Sequence, residues 1–235
     1  MQVKAFERDC SSAYRVETEG CFDIARGFPT GWSGLNEIGI SGTAHRYGAG
    51  EYQGFASLYF GHLTETMDNP VNPGNGVRFE TRISWAPLMT HKHLGILYDF
   101  EGAFPLFRKG TLVLNTWGQL LAGTTWDWQE CRLSASRSIP GMPYNSLPSR
   151  QRLAMLGRFQ RDLNGPFFLS FEAGAICDWE SPLELRDNEW TYGAGLSAGL
   201  NTPMGPASVS WGWSSQFHGR WTVSVGSLST YGPGR

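Results

Sequence analysis

Trp190-Thr-Tyr-Gly-Ala-Gly-Leu-Ser-Ala-Gly-Leu-Asn-Thr-Pro-Met-Gly-Pro-Ala-Ser-Val-Ser-Trp-Gly-Trp213 is two alternating runs around a turn. In the first, Tyr192, Ala194, Leu196, Ala198 and Leu200 alternate with Gly193, Gly195, Ser197, Gly199 and Asn201. Thr202-Pro-Met-Gly205 interrupts the pattern. In the second, Ala207, Val209, Trp211 and Trp213 alternate with Ser208, Ser210, Gly212 and Ser214. Upstream, Phe167, Leu169, Phe171, Ala173 and Ala175 alternate with Ser170, Glu172 and Gly174; downstream, Trp221, Val223 and Val225 alternate with Thr222, Ser224 and Gly226. A period of two puts one set of side chains on each face of a strand. Runs of about nine to eleven residues suit a bilayer crossing, whereas strands of soluble domains average about five or six. The pattern predicts an antiparallel transmembrane β-barrel.

Composition agrees. Glycine is abundant at 30 residues, aromatics reach 14%, and charged residues are only 17% of the 235-residue chain, below the roughly 25% of ordinary soluble domains. Mean hydropathy is −0.30, as expected when half of every strand faces water or a polar lumen. No apolar run is long enough for a transmembrane helix. The net charge of −2 gives no case for nucleic acid as a partner. Arginine far outnumbers lysine, which suits pairing with carboxylates in a confined space. The first residues, Met1-Gln-Val-Lys-Ala-Phe-Glu, lack the apolar stretch of a signal peptide. Residues 1–235 are therefore read as one barrel domain, the C-terminal part of a longer protein.

About twelve strands are expected: a weak one near Ser12–Thr18, then Trp32–Gly42, Tyr52–Thr64, Gly76–Pro87, Leu94–Phe104, Thr111–Ala122, Trp126–Arg137, Arg152–Arg161, Pro166–Cys177, Trp190–Asn201, Pro206–Ser214 and Arg220–Leu228. Twelve visible strands leave room for membership of a larger, 16-strand barrel. Long links such as Asp68–Gly76 alternate with tight ones at Asn164-Gly165 and Thr202–Gly205, as in outer-membrane barrels. No helical period persists.

The middle strands carry their charge on one face. Val77, Phe79, Thr81, Ile83 and Trp85 oppose Arg78, Glu80, Arg82 and Ser84, and Leu94, Ile96, Tyr98, Phe100 and Phe104 oppose Leu97, Asp99 and Glu101. If the apolar set meets lipid, then Arg78, Glu80, Arg82, Asp99 and Glu101, with Glu172 further on, point into the lumen. A soluble barrel would put the same charges outside, and the sequence leaves both arrangements open. Trp117, Trp126, Trp128, Trp179, Trp190, Trp211, Trp213 and Trp221 fall near strand ends, where an interfacial girdle is expected.

Other chemistry is weak. Cys10 and Cys21 bracket a short polar stretch that a disulfide could close in an oxidising compartment; four unpaired thiols, with Cys131 and Cys177, is the alternative. His91-Lys-His93 would offer two imidazoles but no third ligand, and a solvated turn beside Leu94 is the simpler reading. No metal or cofactor is expected. Gly195-Leu-Ser-Ala-Gly199 has the letters of a serine-hydrolase elbow, but that motif works only on a strand-to-helix turn. Here Ser197 sits within an alternating strand, and Thr202-Pro203 follows.

The stretch Gly193–Trp213 resembles the penultimate strands of bacterial surface antigen (D15, Omp85-type) barrels, in which a glycine-rich strand enters a Thr-Pro-aliphatic-Gly-Pro turn. Arg220-Trp-Thr-Val-Ser-Val-Gly226 resembles the closing strand, and Pro166–Gly174 and Ser149–Arg158 resemble the two before. Among the varieties of that family, the barrel attached to bacterial patatin-like phospholipases is the most similar. The resemblance covers about residues 140–228. It implies a location in the bacterial outer membrane, the lipid bilayer and the outer-membrane assembly machinery as partners, and an N-terminal passenger domain. It also places a lumen-inserted loop at Ile139-Pro-Gly-Met-Pro-Tyr-Asn-Ser-Leu147. That link lacks the family's Arg-Gly-aromatic motif, which argues against insertase or secretion-pore activity. In the inserted arrangement Tyr144 lies against the barrel wall and Arg150 or Arg152 near Glu80, Asp99, Glu101 or Glu172; a disordered external loop is the alternative.

The expected function is an anchor or translocator barrel that performs no chemistry, any patatin catalytic domain lying upstream. The alternatives are a stand-alone porin-like channel and a soluble β-sandwich binding protein.

Overall fold

The computed structural model describes residues 2–12, 15–31, 33–47, 52–68, 73–87, 92–123, 139–143, 149–163, 165–180, 188–202 and 205–225, with side chains from residue 22 onward except over 43–55. Twelve strands form one antiparallel sheet in sequence order: β1 Gln2–Ser12, β2 Arg15–Thr30, β3 Gly34–Tyr47, β4 Tyr52–Glu65, β5 Gly76–Ala86, β6 His93–Phe107, β7 Gly110–Gly123, β8 Gln151–Asp162, β9 Phe167–Trp179, β10 Glu189–Thr202, β11 Gly205–Ser214 and β12 Arg220–Val225. β1 and β12 are its edges.

Alternation becomes two faces because pairing keeps it in phase. Residues opposite one another in an antiparallel ladder share a face. One row thus runs Phe104, Leu112, Phe159, Phe171, Leu196, Trp211 and Trp221 across seven strands. This face is exposed: Leu196 is 60% accessible, Trp221 71% and Val223 73%. On the opposite face, called inner below, lie Arg78, Asp99, Asn115, Gln119, Arg152, Gln160 and Thr191, all buried. The molecule is apolar outside and polar within, the reverse of a protein folded around an oily core.

Links alternate in length with exceptions at both ends: the Asp68–Gly76 link, expected among the long ones, lies with the short connections, and the two-residue and four-residue gaps 13–14 and 48–51 lie with the long ones. At one end strands are joined through 31–33, 108–109, 163–166 and the two-residue gap between Thr202 and Gly205, with the longer 66–75 among them. The 66–75 link is closed by its own Asp68, whose carboxylate accepts from the backbone N–H of Gly74 (2.9 Å) and Asn75 (3.1 Å). At the other end lie the links 87–92, 124–150, 180–188 and 215–219. The exposed tryptophans Trp85, Trp190, Trp213 and Trp221 sit toward this second end, whereas Phe28, Phe104, Phe107 and Phe167 mark the first.

Several sequence expectations change. The weak strand at Ser12–Thr18 is the join of a long hairpin: β1 pairs with β2 from Gln2↔Ala25 to Ser12↔Arg15. Charged residues on both faces (Lys4, Glu7, Arg8, Asp9, Glu17, Glu19) hid its period. The register also separates the two cysteines. Cys10 faces Glu17 and Cys21 faces Phe6, an offset of four residues or about 13 Å along the strand, too far for a disulfide. Trp117 is not a girdle residue: it is on the inner face and 4% accessible. His93 is not in a solvated turn but opens β6, buried opposite Ala86 and Gly123. The expected strand Trp126–Arg137, with Trp126, Trp128 and Cys131, lies outside the described residues.

Candidate functional site: the inner face and the link laid across it

Across β2–β5 the inner face is filled by its own side chains. Tyr59 of β4 is 4% accessible and donates its hydroxyl to Asp23 Oδ1 at 2.5 Å. To reach β2 it must cross β3, and the residue beneath it is Gly39, where a Cβ would sit 2.6 Å from the Tyr59 ring. An aromatic ring over a strand glycine covers backbone that a side chain would otherwise cover. Arg82 of β5 completes the group. Its guanidinium carbon lies 3.6 Å from the Tyr59 ring centroid, and Nη2 reaches Asp23 Oδ2 at 3.4 Å. The tyrosine face and the carboxylate share the cation.

The neighbouring charges are arranged in rows. Arg78 bonds Glu80 at 2.8 Å; Arg78 stands opposite Glu101 and Glu80 opposite Asp99 in the β5–β6 register. Glu172 of β9 stands opposite Arg158 of β8. Arg150 is exposed just before β8, whereas Arg152 is a strand residue rather than part of the link. Arg152 is 1% accessible and forks onto Asp178, with Nε to Oδ1 at 2.6 Å and Nη2 to Oδ2 at 2.7 Å. Asp178 was not among the anticipated partners; it lies directly opposite Arg152 in the β8–β9 register, the shortest reach for a planar fork. Tyr144 lies outside the described residues.

The β8–β9 pair therefore carries a buried ion pair beside the end of the long link 124–150. The adjacent Gln151 is fully buried and replaces a missing strand residue. β7–β8 pairing stops at Gln119↔Arg152; beyond it, the Gln151 amide accepts from Leu121 N–H at 2.8 Å and donates to Leu121 C=O at 2.5 Å.

Across β9–β11 the inner face is different. It is floored by glycine, and residues 139–143 lie on that floor. A Cβ at Gly193 would be 2.4 Å from Pro140 O, one at Gly195 2.8 Å from Pro140 Cβ, and one at Gly212 2.4 Å from Gly141 N. Gly141 has φ 83°, the left-handed region natural to glycine, and its own Cβ would fall 2.4 Å from the Trp213 carbonyl carbon. Ile139 and Met142 are buried with Trp117, Ala154 and Ile176, with Leu156 and Phe217 packed around them. This apolar cluster on a polar face explains why Trp117 points inward. The signal was present in the sequence: the glycines alternate on the polar side of β10, where serine would have sufficed for a strand facing water. Ile139, Pro140 and Met142 carried no period of their own; only the family resemblance of their link pointed them inward.

Ser197 lies in the middle of β10 opposite Ser170, and the two hydroxyls are hydrogen-bonded. The strand continues through it to Thr202, so the hydroxyl is not raised on a turn.

No family model and no curated protein matches the chain. Among solved structures, it is similar to BamA from Haemophilus ducreyi lacking POTRA domains 1–3, at 12% sequence identity and a TM-score of 0.75. The match covers 95% of this chain and 57% of that one; the chain thus spans a little over half the length of the structure it matches. The fold is the antiparallel β-barrel fold of BamA.

Proposed function

We propose that the chain is an outer-membrane β-barrel of the Omp85 type, which embeds in the bilayer and anchors, displays or passes a neighbouring protein segment. The observation that carries this reading is the inversion of the two faces: Leu196, Val209, Trp221, Val223 and Val225 are exposed while Arg78, Asp99 and Arg152 are buried. In water such a surface would be an aggregation liability; in lipid it is the solvated face, and the charges belong inside. The BamA-like fold supports the same reading, as does the resemblance of the C-terminal strands to surface antigen barrels. The finer reading, an anchor behind a patatin-like phospholipase in the bacterial outer membrane, assembled there by the outer-membrane machinery, rests on those C-terminal strands. The barrel itself supplies no chemistry in this proposal.

The test is fractionation of the full protein in a Gram-negative host. It is expected in the outer membrane, resistant to carbonate extraction and migrating faster in gels before boiling than after. A detergent-free soluble monomer would overturn the proposal and favour the soluble binding protein.

A further inference from the structure

The outer wall is not evenly filled. A cleft of about 720 Å³ opens on it across β8–β12. Phe159, Phe171, Leu196, Trp211 and Trp221 form one side, all in a single row. The next row toward the short-turn end holds Arg161, Leu169, Ala198 and Val209. The cleft forms there because Ala198 offers only a methyl between the bulk of Leu169 and Val209. Among the described residues, Arg161 is the one charged residue lining it.

A cation on the outer face of a barrel strand is costly at mid-depth but tolerated near the interface, where its head can meet lipid headgroups. Arg161 is next to last in β8, at the end of the strands that carries the short turns. Arg108 and Lys109 form the neighbouring turn, and Asp162 N–H donates to Lys109 C=O at 2.8 Å, tying the two strand ends together. The nearest acidic group in sequence, Asp162, accepts from Gln160 at 3.1 Å, and both lie on the inner face. Arg161 therefore sets one cation at the rim of a cleft whose body is apolar. That is the complement of one anionic phospholipid: acyl chain along the Phe159–Trp221 row, phosphate at Arg161, whose planar fork matches phosphate oxygens.

We propose that this cleft binds an anionic phospholipid from the leaflet at the short-turn end, with Arg161 as the headgroup ligand. The inference rests on the membrane reading above. Trp211 and Trp221 line the cleft and report its occupancy. The full chain is inserted into phosphatidylcholine vesicles containing a minor fraction of bromine-labelled phosphatidylglycerol or, in parallel, bromine-labelled phosphatidylcholine. Tryptophan quenching should be stronger with the labelled phosphatidylglycerol, corresponding to an enrichment of about fivefold, the factor one basic side chain supplies near anionic lipid. Arg161→Gln should abolish the preference while leaving insertion, read by heat-modifiable migration, unchanged. Ala198→Leu, which fills the cleft, should weaken quenching by either lipid. Equal quenching by the two lipids in the inserted parent chain overturns the lipid site alone. Failure of the chain to insert at all overturns the membrane reading and the site with it.

Discussion

The inner face is filled in two ways, and β2–β5 and β9–β11 are the two cases. In β2–β5 long polar side chains cross the sheet: Tyr59 spans β3 to reach Asp23, and Arg82 stacks on its ring. In β9–β11 the strands carry glycine at Gly174, Gly193, Gly195 and Gly212, and a separate segment, Ile139–Pro143, lies on that patch. A curved sheet leaves space on its inner side that polar residues must fill with every donor and acceptor matched. Self-filling needs only residues already on the strands and fixes relative strand positions. Filling by a link uses few strand atoms, since Gly193, Gly195 and Gly212 leave room for it and Ile139 and Met142 bury against Trp117, Ala154 and Ile176.

Between the two regions stands the Arg152–Asp178 pair, and removing it should have the largest effect. Arg152→Ala leaves Asp178 without its fork and should cost about 3–5 kcal/mol, read as a fall in the temperature at which the folded band disappears in gels. Arg152→Met with Asp178→Leu should recover most of that loss. If the single variant unfolds no earlier than the parent, the boundary between the regions is not held by this pair.

The outer wall is common to both regions and should respond to face alone. Leu196→Arg should cost about 2–4 kcal/mol at mid-depth and block membrane assembly, whereas Ser197→Arg, directed to the inner face, should assemble. Equal tolerance of the two would invalidate the face assignment in β9–β11.

The link-filled region should then separate from the self-filled one. Gly212→Val puts side-chain atoms where Gly141 N now lies. It should cost about 1–3 kcal/mol as an overpacking change and release the link, making residues 139–143 sensitive to protease in the embedded protein. Protection equal to that of the parent would show that the link is held elsewhere. The smallest change is Tyr59→Phe. Loss of a hydrogen bond to a charged acceptor should cost about 1.5 kcal/mol, with Arg82 still able to reach Asp23. Link protection should be unaltered; if it falls, the two regions are coupled and the contrast drawn above fails.

The two regions also differed in how far they could be read from sequence. The strands Gly76–Ala86, His93–Phe107 and Phe167–Ser214 showed their faces because every second residue is apolar and the neighbouring strands obey the same rule. β1 and β2 did not, since charge falls on both of their faces. Within the site, Arg78, Glu80, Asp99 and Glu101 could be assigned to one face by counting. Asp23 could not be linked to Arg82, because 59 residues separate them and only the pairing order β2–β3–β4–β5 makes them neighbours. Arg152 was recognised as a candidate, but its partner Asp178 follows from the β8–β9 register, which no local pattern specifies.

The sequence by itself determined the strand-rich chain, its two faces and the side on which charge accumulates. The physical reason is local: period two is a property of one strand and survives whatever that strand pairs with. Tertiary structure alone decided which inner residues meet, that Tyr59 rests on Gly39, and that Pro140 and Gly141 rest on Gly193, Gly195 and Gly212. Those contacts depend on stagger between strands and on the path of a link with no period of its own, so their information lies in the assembled sheet and not in any one segment.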